Sequence, residues 1–115
     1  MSNQYEVTGC RTFTNGGTAI ARGLRVKLSS GVLALAGDEA SIGVTINRIE
    51  ANEAGVVRLH NAQGTATMTA AGSFAVGATM YYAAGGKCDD SGTTTFGIAL
   101  SASSGDGDLV EVLPD

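Results

Sequence analysis

Hydrophobic and polar residues alternate along nearly all of this chain with the period of a β-strand. Leu24-Arg25-Val26-Lys27-Leu28 changes character at every residue, as a strand with one buried face does. Ser29-Ser30-Gly31 then supplies a turn, and Val32-Leu33-Ala34-Leu35 can return as the partner of a hairpin. Ala36–Ser41 reads as a loop with room for one helical turn. Gly43–Ile49 alternates again, with Val44, Ile46 and Ile49 directed inward after a local irregularity. A turn at Asn52–Gly55 leads to a strand over Val56–His60. Thr65–Thr69 is rich in β-branched residues and predicts another strand. Thr79–Tyr82, Thr94–Leu100 and Leu109–Leu113 follow, separated by the glycine-rich turns Ala84-Gly85-Gly86 and Ser103–Asp108. Strands this short, spaced at about 8–12 residues, predict an all-β fold, a small barrel or sandwich.

The pattern occurs twice. Ile20–Gly23–Val26–Leu28–Gly31 followed by Ile42-Gly43-Val44 and Ile46 matches Phe74–Gly77–Met80–Tyr82–Gly85 followed by Phe96-Gly97-Ile98 and Leu100, at a spacing of 54 residues. Ala21/Ala75, Gly23/Gly77, Gly31/Gly85 and Gly43/Gly97 are identical pairs. With one residue deleted, Val56-Val57-Arg58-Leu59 continues onto Leu109-Val110-Glu111-Val112. Such internal similarity predicts one β unit used twice, over residues 20–59 and 74–112. Gly23, Gly43, Gly77 and Gly97 are expected at equivalent turn and strand positions.

Residues 1–19 differ from this domain of residues 20–115. Tyr5, Val7 and Phe13 are spread among polar residues, and Asn15-Gly16-Gly17 sets them apart from the repeat. They read as an extended arm that orders on contact, or equally as an edge strand of the sheet. Tyr5, Val7, Arg11 and Phe13 are the candidate partner-binding residues of this arm.

At 115 residues the chain is one domain. Its 43% hydrophobic content overstates the core, because much of it is alanine, aromatics are only 5% and tryptophan is absent. A core of small side chains buries little area per residue, which favours stability gained from association. The net charge of −4 is uneven: Arg11, Arg22, Arg25 and Lys27 face only Glu6 in residues 1–27, and the remainder is acidic. An acidic body argues against nucleic-acid binding, and a basic segment suits an acidic neighbouring surface. No apolar run is long enough to span a membrane, and no secretory signal is visible, so synthesis in a cytoplasm with reduced thiols is expected. Cys10 and Cys88 read as small buried hydrophobes.

The residues offer little for catalysis. No Gly-x-Ser-x-Gly segment, dinucleotide fingerprint or phosphate loop occurs, and the single histidine, His60, stands at a strand end. One histidine and two remote cysteines make no usual zinc site. Cys88-Asp89-Asp90-Ser91-Gly92 and Gly105-Asp106-Gly107-Asp108 have calcium-binding oxygens, but they fit turns better than a calcium loop. A non-enzymatic protein without cofactor or metal is expected.

Thr18–Leu28, and Gly77–Gly86 followed by Phe96-Gly97-Ile98-Ala99-Leu100, resemble the capsid decoration, or cement, proteins of tailed phages. Leu109-Val110-Glu111-Val112-Leu113 fills the place of that family's last strand, and Met80 stands where valine is more usual. The resemblance spans about residues 10–113. It implies a structural virion protein, made in the host cytoplasm, that binds the outer surface of a phage head as a homotrimer. There it would stabilise the capsid by bridging major capsid proteins. The alternative is a small carbohydrate- or ligand-binding β module of a tail or fibre, for which Tyr81-Tyr82 is the candidate stacking pair.

Overall fold

A computed structural model describes residues 10–37, 41–60 and 64–114. The strands are β1 (Cys10–Thr14), β2 (Arg25–Ser29), β3 (Val32–Leu35), β4 (Gly43–Thr45), β5 (Ala54–Leu59), β6 (Ala66–Thr69), β7 (Ser73–Phe74), β8 (Thr79–Tyr82), β9 (Cys88–Asp89), β10 (Thr95–Ala99), β11 (Ser103–Ser104) and β12 (Leu109–Pro114). One 3-10 turn, Ala84–Gly86, is the sole helical element among the described residues.

Two antiparallel sheets of five strands result, in the orders β1-β5-β4-β2-β3 and β6-β12-β10-β8-β9. Matched in chain order, these are the same arrangement. β7 and β11 form a small ribbon through Phe74↔Ser103, and an isolated Ile20↔Ile49 bridge stands 54 residues earlier. Single parallel bridges, Asn15↔Leu33 and Ala70↔Cys88, bring the two margins of each sheet together. They are too short to close a barrel, and the fold is sandwich-like.

Local chemistry explains the elements. Ser30 (φ 53°) and Gly31 (φ 84°) are both left-handed, the conformation that a two-residue hairpin loop needs to match strand twist. β4 stops at Thr45 because its hydroxyl donates to the Ala21 carbonyl at 2.8 Å and the chain turns away. The strand expected over Gly43–Ile49 is therefore three residues long. Ile49 still reaches the core, but Ile46 is exposed, contrary to the expected inward position.

Of the expected N-terminal arm, residues 1–9 lie outside the described residues. Cys10–Thr14 take the other form considered, an edge strand paired to β5 from Cys10↔Arg58 to Thr14↔Ala54. Asn15 is fully buried, and its amide donates to Thr18 O (2.9 Å) and Ile49 O (3.1 Å), fixing the chain after β1.

Strand register also corrects the end of the repeat. Val57 opposes Thr45, and Val112 opposes Ala99, so Val57 corresponds to Val112, at 55 residues rather than the 53 read from the sequence. The difference of two residues keeps every side chain on its face, so alternation alone could not reveal it. The same spacing matches Thr12-Phe13-Thr14 with Thr67-Met68-Thr69.

Each sheet has its own core. Ile20, Val26, Leu33, Ile49 and Val57 form the first, with Phe13 and Leu24 packed against them. The second gathers Met68, Phe74, Met80, Cys88, Phe96, Val110 and Val112, and Val44 of β4 joins it from the other sheet.

Candidate functional site

The seam between the sheets is built around Arg25. The alternation of β2 directs this side chain away from its own core, where the sequence reads a polar face. In the fold it is fully buried, because the turn after β8 covers it. Its Nε donates to Lys87 O at 3.0 Å, and one terminal nitrogen donates to Ala83 O at 2.6 Å and Gly37 O at 2.5 Å. The guanidinium also lies 4.4 Å from the Tyr82 ring centroid. Tyr82 in turn stacks on Phe96, with centroids 4.8 Å apart and an interplanar angle of 11°. A guanidinium suits this place because it presents a planar fan of donors and stacks on an aromatic face. Gly86 (φ 76°) permits the close approach, since a Cβ there would meet both Arg25 O and Leu35 Cδ1 at 2.8 Å.

His60 borders the same seam, with Nε2 at 2.7 Å from Ser41 Oγ. Burial, then the positive charges of Arg25 and Arg58, lower its pKa from the usual value to about 4. It is held neutral as a hydrogen-bonding partner. Among the described residues, no carboxylate orients the ring. Of the candidate stacking pair, Tyr82 is engaged in this stack, and both Tyr81 and Tyr82 are half-buried.

The acidic turns use their carboxylates internally. Asp108 accepts from Ser104 N (2.8 Å) and Ser104 Oγ (2.7 Å), which lowers its pKa. Asp106 pairs with Lys87 at 2.7 Å, and Asp89 accepts from Asp90 N at 2.8 Å. Among the described residues, no three His, Cys, Asp or Glu side chains come together. Cys88 is buried as expected, whereas Cys10 is half-buried at the sheet edge.

Of the candidate binding residues, Tyr5 and Val7 lie outside the described residues. Arg11 is exposed on β1, its Cζ 5.2 Å from the Phe13 ring centroid, and Phe13 packs against the first core. Gly23 (φ 81°) and Gly77 (φ 90°) occupy matching left-handed turns. Gly43 and Gly97 lie in the inner strands β4 and β10, where a Cβ would overlap the carbonyls of Arg58 and Leu113, respectively.

What the molecule offers a partner is surface. A groove of about 360 Å³ runs between Asn15–Ile20 and Ser29–Leu35, lined by no titratable side chain. On the outer face of the second sheet, Ile98 and Leu113 are direct cross-strand neighbours, and Leu100 and Leu109 extend the apolar strip. This is the anatomy of an assembling module.

The phage cement protein family matches residues 7–114. The chain belongs to that family. It is therefore a structural virion protein of the capsid. The fold agrees with a solved structure, the "head fiber gp8.5 N base in bacteriophage phi29", at a TM-score of 0.70 and 16% identity. That likeness covers 92% of this chain and 94% of the other. No curated protein matches the chain.

Proposed function

We propose that this cement protein binds the outer surface of an assembled phage head and stabilises it by bridging neighbouring major capsid proteins. The family match across both β units carries this reading. The protein acts as a non-enzymatic homo-oligomer, a trimer by family resemblance, made in the host cytoplasm. It uses neither nucleic acid nor membrane. Arg11 and Phe13 anchor the strand from which Tyr5 and Val7 reach the capsid, where an extended segment can add to a sheet edge. Several such contacts within one oligomer raise the effective affinity without new chemistry. The mechanical effect is added buried interface, repeated over the shell, that opposes its expansion.

The test is to mix purified protein with undecorated capsids and sediment them. Saturable co-sedimentation, with a rise in the temperature or osmotic shock at which the capsids rupture, is expected. Protein that stays in the supernatant at concentrations up to tens of micromolar would overturn the reading.

A further inference from the structure

Within the chain, the first unit covers an edge of the second in a defined way. β6 bonds to β12 along one edge, and its other edge meets the Arg22-Gly23 turn and β4. Thr69 N donates to Gly23 O at 2.8 Å, and Thr69 Oγ1 lies 3.4 Å from Arg22 O. Gly23 is so tightly covered that a Cβ on it would meet Leu109 Cδ2 at 2.9 Å and Thr69 Oγ1 at 3.2 Å. Val44 beside it is 1% exposed.

Every part of that contact has a counterpart that is bare. The turn matching Arg22-Gly23 is Val76-Gly77; Val76 is 62% exposed, and a Cβ on Gly77 would meet nothing within 4 Å. Ile98 stands where Val44 does and is 44% exposed. The strand matching β6 is β1, with Thr14 in the place of Thr69. Asn15 N donates to Glu53 O (2.9 Å) as Ala70 N donates to Asp108 O (2.7 Å). The alternation of an antiparallel ladder therefore points Thr14 N toward the outer edge, as it points Thr69 N. β1 is the terminal strand in its sheet order, and Thr14 is exposed.

We propose that the Val76-Gly77 turn and the Ile98 face of one copy receive the β1 edge of a second copy, repeating between chains the contact that joins the two units within one chain. Thr14 N then donates to Gly77 O of the neighbour, and Ile98 and Leu113 lie across β1. The side chains are complementary across both contacts. Within the chain the face has Arg58 and the strand has Ala66; between chains the face has Leu113 and the strand has Arg11. One bulky cation serves each contact, from opposite sides. Because the two surfaces differ, the association is head-to-tail, and closes as a ring when its rotation permits. This deepens the homo-oligomer part of the proposed function, and is tested without capsids.

Two variants in a Cys10→Ser background, Val76→Cys and Thr14→Cys, each with one exposed thiol beside the buried Cys88, are oxidised separately and as an equimolar mixture. A cross-linked heterodimer in the mixture, absent from either variant alone, is expected. In parallel, sedimentation velocity of the full chain compares the parent with Val76→Asp, whose new charge stands at an exposed position. The parent should associate and the variant should dissociate at least tenfold more readily, with the same unfolding midpoint. A monomeric parent at 50 µM (about the concentration of routine sedimentation work), unchanged association in Val76→Asp, or cross-linking of Val76→Cys to itself alone would overturn the proposal. Any of these outcomes leaves capsid co-sedimentation to be judged separately.

Discussion

The guanidinium of Arg25 lies 4.4 Å from the centre of the Tyr82 ring, joining a strand of one sheet to a strand of the other. Removing it takes a donor from the part-buried carbonyls of Lys87, Ala83 and Gly37. Arg25→Ala should destabilise the fold by about 3 kcal/mol, and Arg25→Lys should recover only a minor part, since an ammonium offers no fork and stacks poorly. Denaturant unfolding midpoints of the three proteins check this.

His60 makes stability depend on pH in a definite direction. Its pKa in the folded protein, about 4, lies below the usual value of 6.5 kept in the unfolded chain, so the unfolded state binds more protons between these values. The contribution is fully present above pH 6.5 and is lost as pH falls toward 4. Thermal midpoints of the parent and His60→Asn, measured from pH 7.5 to 4, should converge as the solution is acidified. Parallel curves would remove His60 as the cause.

Gly43 and Gly97 sit under carbonyls of the adjacent strands β5 and β12. A side chain at either must push two strands apart. Gly43→Val and Gly97→Val should each cost at least about 2 kcal/mol, by overpacking against backbone that cannot rotate away. Urea unfolding of each variant provides the measurement.

The two thiols should differ sharply in reactivity. Burial raises the Cys88 pKa to about 12, so its thiolate is scarce at neutral pH. In a thiol-titration assay at pH 8, one group per chain, Cys10, should react before unfolding and both should react in denaturant. Early reaction of Cys88→Ser to the same extent as the parent identifies the residue.

Truncation separates docking from folding only at the right place. Deleting residues 2–9 should leave the unfolding midpoint unchanged and weaken capsid binding at least tenfold, about 1.4 kcal/mol. Deleting residues 2–14 also removes β1 and the packing of Phe13, and should cost about 2–4 kcal/mol of stability. Capsid occupancy against protein concentration, with midpoints alongside, distinguishes the two effects.

Period-2 alternation placed most strands, because a half-buried strand writes its two faces into the sequence directly. The Ser30-Gly31 hairpin was equally legible from its turn residues. Four things were not. Arg25 obeys the alternation yet is buried, since the element that covers it comes some sixty positions later and a local pattern cannot register it. Ile46 breaks the pattern because the Thr45 hydroxyl ends the strand one residue earlier. The match of Thr12-Phe13-Thr14 to Thr67-Met68-Thr69 was visible, but a one-residue difference between Gly17–Ile20 and Gly72–Phe74 hid it from an ungapped comparison. The exposed strip of Ile98 and Leu113 looks in sequence like core, and only its partner-free sheet face sets it apart.

The presence of two cores has a mechanical consequence. Load applied across this molecule meets two closely packed blocks, each stiff because interdigitated side chains leave no slack. The joint between them is thinner: the hydrogen bonds of Arg25, the Thr69–Gly23 bond and the single core side chain of Val44, of which the polar contacts lengthen and re-form with less resistance than a packed core. Strain in a swelling shell would thus be absorbed as a small rotation at the joint, before either block begins to yield.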